Sequence, residues 1–218
     1  MLKIDLHVHT NRSRDSLTDL KTAARVAALK GLDGIAVTDH DNVLGSPSGV
    51  RVGANSIAII PGVEVSTRQG HLLALGVTDQ LAPKRDLEET IDEVRRMGGV
   101  AIASHPYRMF SHSIPPRELR VSRLDAIEVL NSSYFPFSML VAKSEKLAEE
   151  LKLPKTAGSD SHMPESVGNA YTKIDAPSPD LPAILKAIRE GKTEVEGRPT
   201  PLERRLRHKI DLRLRKSA

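Results

Sequence analysis

The chain has 218 residues, 39% hydrophobic and 28% charged, which suits a globular protein with one well-filled core and a small appendage. It has no cysteine, which excludes disulfides and thiolate metal sites and leaves only nitrogen and oxygen ligands for any metal. The net charge of +4 is uneven, because residues 198–218 hold eight Lys/Arg against two acids; that tail is +6, and the body at −2 need not be a nucleic-acid surface. The sequence has no apolar run as long as a membrane span and no signal-peptide profile at its N-terminus, so a cytoplasmic location is expected.

Ile4, Leu6 and Val8 alternate with Asp5, His7 and His9, the period of a strand over residues 3–9. His7 and His9 therefore point the same way at its C-terminal end, a spacing that suits a metal pincer. Leu17 to Lys30 has apolar residues at helical spacing and ends at Gly31. Residues 35–37 read as a short buried strand, residues 41–55 as loop plus a poor helix, and residues 57–60 as a strand stopped by Pro61-Gly62. A strand over 71–77 precedes a helix from Asp86 to Met97, closed by Gly98-Gly99. Strands follow at 100–103 and 126–130, then a helix at 137–151 and a strand at 155–158. Strands at 167–174 and 193–196 flank a helix at 179–190. Strand–helix units with short connections predict a parallel sheet, and the lack of G-x-G-x-x-G after the first strand disfavours a dinucleotide-binding one.

The polar residues cluster just past the strands, where a parallel barrel does its chemistry. His7 and His9 close the first strand, with Asp15 in the loop behind; Asp39 and His40 follow the second. Glu64 follows Pro61-Gly62-Val63, His71 opens the next strand, His105 sits in Ser104-His105-Pro106, and Asp160 and His162 lie in Gly158-Ser159-Asp160-Ser161-His162. A set of His, Asp and Glu alone suits Zn, Mn or Fe. Nine candidate ligands exceed the four to six that one ion uses, which argues for two or three divalent ions sharing a bridging carboxylate. Such sites suit hydrolysis of phosphate esters through a metal-bound hydroxide.

These motifs, Asp5-Leu6-His7-Val8-His9-Thr10, Thr38-Asp39-His40, Pro61-Gly62-Val63-Glu64, Ser104-His105-Pro106 and Gly158-Ser159-Asp160-Ser161-His162, resemble the signature of PHP (polymerase and histidinol phosphatase) domain proteins over about residues 2–175. The resemblance implies an α/β fold, a distorted (β/α)7 TIM-like barrel with a trinuclear metal centre and phosphoesterase activity. Carried over position by position, it implies one ion on His7, His9, Glu64 and Asp160, a second on Glu64, His71 and His105, and a third on Asp15, His40 and His162. Asp15 stands where some members have His.

Asp39 is expected to orient an imidazole, and Arg108, one short turn past His105, to clamp a substrate phosphate. Glu128 beside Asn131 reads as a supporting residue, and Tyr134, Phe135 and Phe137 as helix packing or a nucleobase platform. The expected organisation is a metal-binding barrel over residues 1–197 and a basic amphipathic tail over 198–218. In the tail Leu202, Leu206, Ile210 and Leu214 form one apolar stripe, which could dock on the barrel, pair with another chain, or leave the charge for nucleic acid or an anionic membrane. Every candidate ligand precedes the tail, so the tail is expected to be dispensable for small substrates. The leading function is hydrolysis of a phosphorylated small molecule or nucleotide. A PHP-type exonuclease acting on RNA or DNA ends, or a non-catalytic nucleic-acid- or protein-binding subunit, are the alternatives. Retention of all nine ligand positions favours an enzyme.

Overall fold

A computed structural model describes residues 1–44, 50–52, 55–108 and 112–217. In chain order its elements are β1 (Leu2–Val8), α1 (Leu20–Leu29), β2 (Gly34–Val37), β3 (Val50–Val52), β4 (Asn55–Ser66), β5 (His71–Leu75), α2 (Leu87–Arg96), β6 (Val100–Ala103), α3 (Pro116–Leu119), β7 (Ala126–Asn131), α4 (Phe137–Leu151), β8 (Lys155–Gly158), β9 (Ala170–Ile174), α5 (Leu181–Arg189), β10 (Thr193–Gly197) and α6 (Leu202–Ser217). Of the segment predicted as loop over 41–55, residues 41–44 are loop, β3 and the start of β4 take residues 50–52 and 55, and the others lie outside the described residues.

Strands β1, β2, β4, β5, β6, β7 and β8 are neighbours in that order. Backbone hydrogen bonds from Asp160 N to His7 O (2.8 Å) and from His9 N to Ser161 O (3.0 Å) tie the end of β8 back to β1 and nearly close the ring. The result is the expected distorted (β/α)7 barrel. Strand β9 runs antiparallel to the first residues of β1, β10 extends from β9, and β3 is a flap on β4.

The sheet is mixed, not all parallel as the strand–helix reading predicts. Strand β5 runs antiparallel to both β4 and β6. Only residues 67–70 connect β4 to β5, too few for a crossover, so the chain can only turn back. Gly70 allows that turn: its φ is +147°, and a Cβ there would lie 2.5 Å from Ile114 N. Nor does Pro61-Gly62 stop a strand, since β4 runs through it. Pairing with β2 ends at Val37–Pro61, and pairing with β5 begins at Gly62–Leu75. Proline lacks the N–H for a further bond, and a Cβ at Gly62 would lie 2.8 Å from Ala74 O. The dipeptide marks the switch from a parallel to an antiparallel neighbour.

The barrel is filled rather than hollow. Ile4, Leu6, Ala36, Ile60, Leu73 and Ile102 form one buried cluster, plugged by Ile184, Leu185 and Ile188 of α5. Each such side chain stabilises the fold by roughly 1.5–3 kcal/mol. Alternate residues face outward, Leu72 and Ala74 toward Ile91 and Val94 of α2, and Val8 toward Ala23, Ala24 and Ala27 of α1. A register shift in the β1–β2 pairing between Asp5 and Val8 lets Leu6 pack inside while His7 and His9 still turn to the open end. The chemistry therefore sits at one rim, built by the C-terminal ends of the parallel strands and the N-terminal end of β5.

The tail crosses that rim. Thr200 N donates to Ser132 O (2.7 Å) just past β7, His208 Nε2 donates to Asp15 O (2.8 Å), and Arg215 reaches Ser16 O (3.4 Å). The predicted apolar stripe is not the docking face: Leu202, Leu206, Ile210 and Leu214 are 54–64% exposed. Arg205, His208 and Leu212, spaced three and four apart, are half-buried instead.

Candidate metal centre

The centre begins with two imidazoles whose outer nitrogens are fixed by acceptors. Glu128 can only accept, so His7 Nδ1 donates to Glu128 Oε1 (2.9 Å) and keeps the Nε2 lone pair free. Ser13 Oγ donates to Asp39 Oδ1 (2.8 Å), so His9 Nδ1 donates to Ser13 Oγ (3.3 Å), and His9 Nε2 is likewise a lone pair. The two Nε2 atoms face each other at 3.1 Å. Two lone pairs that close require a proton or a cation between them.

Two carboxylates complete this group. Glu64 Oε2 lies 3.5 Å from His7 Nε2 and 3.3 Å from His9 Nε2; Asp160 Oδ1 lies 3.6 and 3.4 Å from the same atoms. Ligand atoms held about 2 Å from one ion in a tetrahedron are roughly 3.3 Å apart, and these distances match. Among the described residues Asp160 Oδ1 is buried with no hydrogen-bond partner, whereas Asp160 Oδ2 accepts from Arg108, Ser133 Oγ (2.9 Å) and Asn131 (3.4 Å). A buried carboxylate oxygen without a hydrogen-bond donor, facing three imidazoles, suits a bound cation. The donor set therefore fits divalent metal.

Glu64 faces two ways. Oε1 lies 3.0 Å from His71 Nδ1 and 2.9 Å from His105 Nε2, while Oε2 faces His7, His9 and, at 3.1 Å, His40 Nδ1. Across the rim, Asp15 Oδ2 is 3.5 Å from His40 Nε2 and 3.2 Å from His162 Nε2. His162 Nδ1 is fixed by the Asp160 carbonyl at 3.0 Å. All nine residues expected from the sequence thus converge on one rim.

Electrostatics follow from this crowding. Burial opposes charge on Glu64 and Asp160, but Arg108 and the imidazoles hold both carboxyls well below the usual range. Burial likewise opposes a proton on His7, yet Glu128, Asp160 and Glu64 keep its pKa well above the ordinary value, and His40 is raised to about 9 beside Asp15 and Glu64. His9 differs: burial and the neighbouring His162 push its pKa down. Two candidate ligands also have left-handed backbones, Asp160 at φ +52° and His105 at φ +30°.

Asp39 is not in the cluster. It accepts from Thr10 N (2.7 Å), Thr10 Oγ1 (2.6 Å) and Ser13 Oγ, and so holds the loop after β1; it reaches His9 through Ser13 and does not touch an imidazole. Arg108 lines the cleft and is bonded to Asp160. Tyr134 is core, its hydroxyl 3.1 Å from Ser144 Oγ. Sequence reasoning missed Ser13, and it missed Asp5, which accepts from His7 N, Ser159 N and Gly168 N and so pins β1 to the loop after β8. It also missed Arg205 and His208, because the leucine pattern drew attention to a neighbouring face. The tail, expected to be dispensable, lines a cleft of about 690 Å³ beside the centre.

Glu128 anchors His7 and also accepts from His105 N (2.8 Å) and Asn131 Nδ2 (3.0 Å). Glu128→Gln keeps the shape and removes the charge. We expect metal affinity to fall by about 10–100-fold, as for other residues that orient a ligating histidine. Titration with Zn²⁺ against a chelating dye measures it; unchanged affinity would reduce Glu128 to packing.

The family model described as "PHP domain" matches residues 5–114, and the one described as "PHP-associated" matches residues 141–193. Uncharacterized protein MJ1587 of Methanocaldococcus jannaschii is 29% identical over 142 residues, 60% of this chain and 82% of that protein. A two-domain protein from Bacteroides vulgatus, containing a predicted PHP-like metal-dependent phosphoesterase, superposes with TM-score 0.68 at 21% identity, over 90% of this chain and 65% of its own; this chain thus spans just under two thirds of it. The lesion-specific endonuclease PfuEndoQ from Pyrococcus furiosus superposes with TM-score 0.64 at 19% identity, over 89% of this chain and 57% of its own. The first family match takes in half of the chain and seven of the nine converging residues, and the second holds Asp160 and His162. The chain belongs to the PHP domain family.

Proposed function

We propose that the protein is a metal-dependent phosphoric ester hydrolase, acting on a phosphate monoester or nucleotide phosphate at a centre of two or three divalent ions. The observation that carries this reading is the Glu64 carboxylate, whose oxygens face separate histidine sets 2.9–3.5 Å away. His7, His9, Glu64 and Asp160 would hold one ion, Glu64, His71 and His105 a second, and Asp15, His40 and His162 a third. Bound there, divalent ions supply Lewis-acid activation of water and neutralise charge on phosphoryl oxygens.

The chain's own residues do the rest. Glu128, Ser13 and the Asp160 carbonyl fix the outer nitrogens of His7, His9 and His162, so the inner ones need no reorientation when a substrate arrives. Arg108 is held at the edge of the cleft by Asp160, where its guanidinium suits a phosphate oxygen. A second reading, a nuclease acting on RNA or DNA, draws on the +6 tail, whose helix crosses the rim. PfuEndoQ, similar in fold, is a lesion-specific endonuclease.

The deciding experiment is elemental analysis of protein purified without chelator, with turnover of a nucleotide and sugar-phosphate panel under Mn, Zn and Fe. We expect two to three metal equivalents and hydrolysis of at least one phosphate ester. Less than one equivalent after reconstitution, or no hydrolysis across the panel, would overturn the proposal.

For Arg108→Ala we expect KM for a phosphorylated substrate to rise about tenfold, more than kcat falls, because a clamp on a non-reacting oxygen contributes equally in ground and transition states. Metal content should also drop modestly, since Asp160 loses its cation partner. Steady-state kinetics at saturating Mn²⁺ separate the two effects, and an unchanged KM removes Arg108 from substrate binding.

A further inference from the structure

The cleft beside the metal centre is walled on its outer side by α6, which is held by Thr200 at its start and by His208 midway. Two arginines from different elements line it. Arg108 comes from the loop after β6 and is paired with Asp160. Arg205 comes from α6, is half-buried, and makes no side-chain hydrogen bond or ion pair with any described residue. Nearby Arg204 and Arg207 are exposed on the helix.

A long cationic side chain on a surface helix ordinarily turns to water, where its charge is best solvated. Arg205 instead turns into the cleft, toward another cation. Burial disfavours its charge, and so does Arg108; the attraction of Asp160 is weaker than either. Asp160 is already occupied by Arg108, Ser133 and Asn131 on one oxygen. Glu64, Glu128 and Asp15 also favour the charge on Arg108, whereas Arg205 has only the more weakly acting Asp160 against Arg108, so an anion entering beside Arg205 relieves that repulsion. The fork of donors on arginine suits a phosphate in particular.

We propose that α6 is the specificity wall of the cleft and that Arg205 seats a second, non-reacting phosphate of the substrate. The proposal rests on the phosphoesterase reading of the metal centre, which takes the scissile phosphate. The substrate class is then a molecule with two phosphates, either a small bisphosphorylated compound or a nucleic-acid end whose neighbouring phosphate reaches Arg205. The apolar part of the wall, Phe135 and Leu206, would face the body between them.

The test uses the full chain, reconstituted with Mn²⁺, and phosphonates, whose C–P bonds a phosphoesterase does not cleave. Calorimetry compares propylphosphonate with bisphosphonates from propane-1,3- to hexane-1,6-. Wild type is expected to bind the best-fitting bisphosphonate about tenfold more tightly than propylphosphonate, the usual worth of one charge-assisted contact. In Arg205→Ala this preference should fall to near unity, and Arg205→Lys should restore part of it. A wild type without preference, or an Arg205→Ala protein that keeps it in full, overturns the proposal. Displacement by 5′-phosphorylated oligothymidylate that weakens tenfold in Arg205→Ala assigns the second phosphate to a strand; loss confined to the small bisphosphonate assigns it to a small molecule. If the panel shows no ester hydrolysis while the preference survives, the phosphoesterase reading fails and the anion site at Arg205 stands.

Discussion

His9→Ala is expected to abolish phosphoester hydrolysis while leaving the barrel folded. His9 is buried, and burial with the neighbouring His162 keeps its pKa below the ordinary histidine value, so it is neutral near pH 7. Removing it strands no charge. The loop after β1 keeps its own supports, because Ser13 still donates to Asp39 and Thr10 N still donates to Asp39 at 2.7 Å. What disappears is one of the two facing Nε2 atoms and an edge of the group formed with Glu64 and Asp160. The metal contribution lost is several kcal/mol; about 4 kcal/mol corresponds to roughly a thousandfold in kcat/KM. Asp160→Ala should be as inactive but also less stable, since it leaves the Arg108 guanidinium without its carboxylate. Kinetics, metal analysis and circular dichroism on both proteins check this. A folded His9→Ala protein with near-wild-type turnover would remove His9 from the centre.

The contrast between these variants shows what was legible in the sequence. Ligand types and their clustering around strand ends are local features: His7, His9, His40, His105, Asp160 and His162 lie at or just past strand C-termini, whereas Glu64 lies within β4 and His71 opens β5. Asp15 is the weakest of the nine by position, because it hangs from the irregular loop after β1; only its grouping with His40 and His162 comes from the resemblance. Strand direction was less legible. A short apolar run looks alike whichever way it pairs, and only the four-residue connection at 67–70 reveals that β5 turns back. Pro61-Gly62 has the composition of a turn, yet it lies in a strand because two different neighbours meet there. The tail misled most. Hydrophobic spacing selects the leucine face of α6, but the face that meets the barrel is set by residues far away in sequence, Asp15 for His208 and the Arg108 cleft for Arg205. Long-range polar contacts leave no periodicity to read.

Gly158→Ala is expected to damage fold and metal centre together, though the glycine bears no chemistry. Gly158 ends β8, directly beside β1. A Cβ there would lie 2.3 Å from His7 Cβ, 2.8 Å from Glu128 Oε1 and 2.9 Å from His7 N. Two of those three atoms are backbone or backbone-attached, so rotating a side chain cannot relieve the clash. Strand β1 or β8 must move instead. That movement would stretch the bonds that close the ring, Asp160 N to His7 O and His9 N to Ser161 O, at 2.8 and 3.0 Å. It would also push Glu128 off His7 Nδ1, now at 2.9 Å. Overpacking a filled core destabilises by about 1–3 kcal/mol, and here the upper end applies because the clash falls on His7 N and Cβ, which a rotamer change cannot move. For a domain of this size, that lowers Tm by roughly 6–12 °C. Metal affinity should fall at least as far as in Glu128→Gln, since both the anchor of His7 and the position of Asp160 shift. Thermal melts with and without chelator separate the contributions: the Tm deficit should persist in chelator, because the clash is in the polypeptide. A Gly158→Ala protein that melts within 2 °C of wild type and retains its metal would show that β1 and β8 are not packed as closely as described.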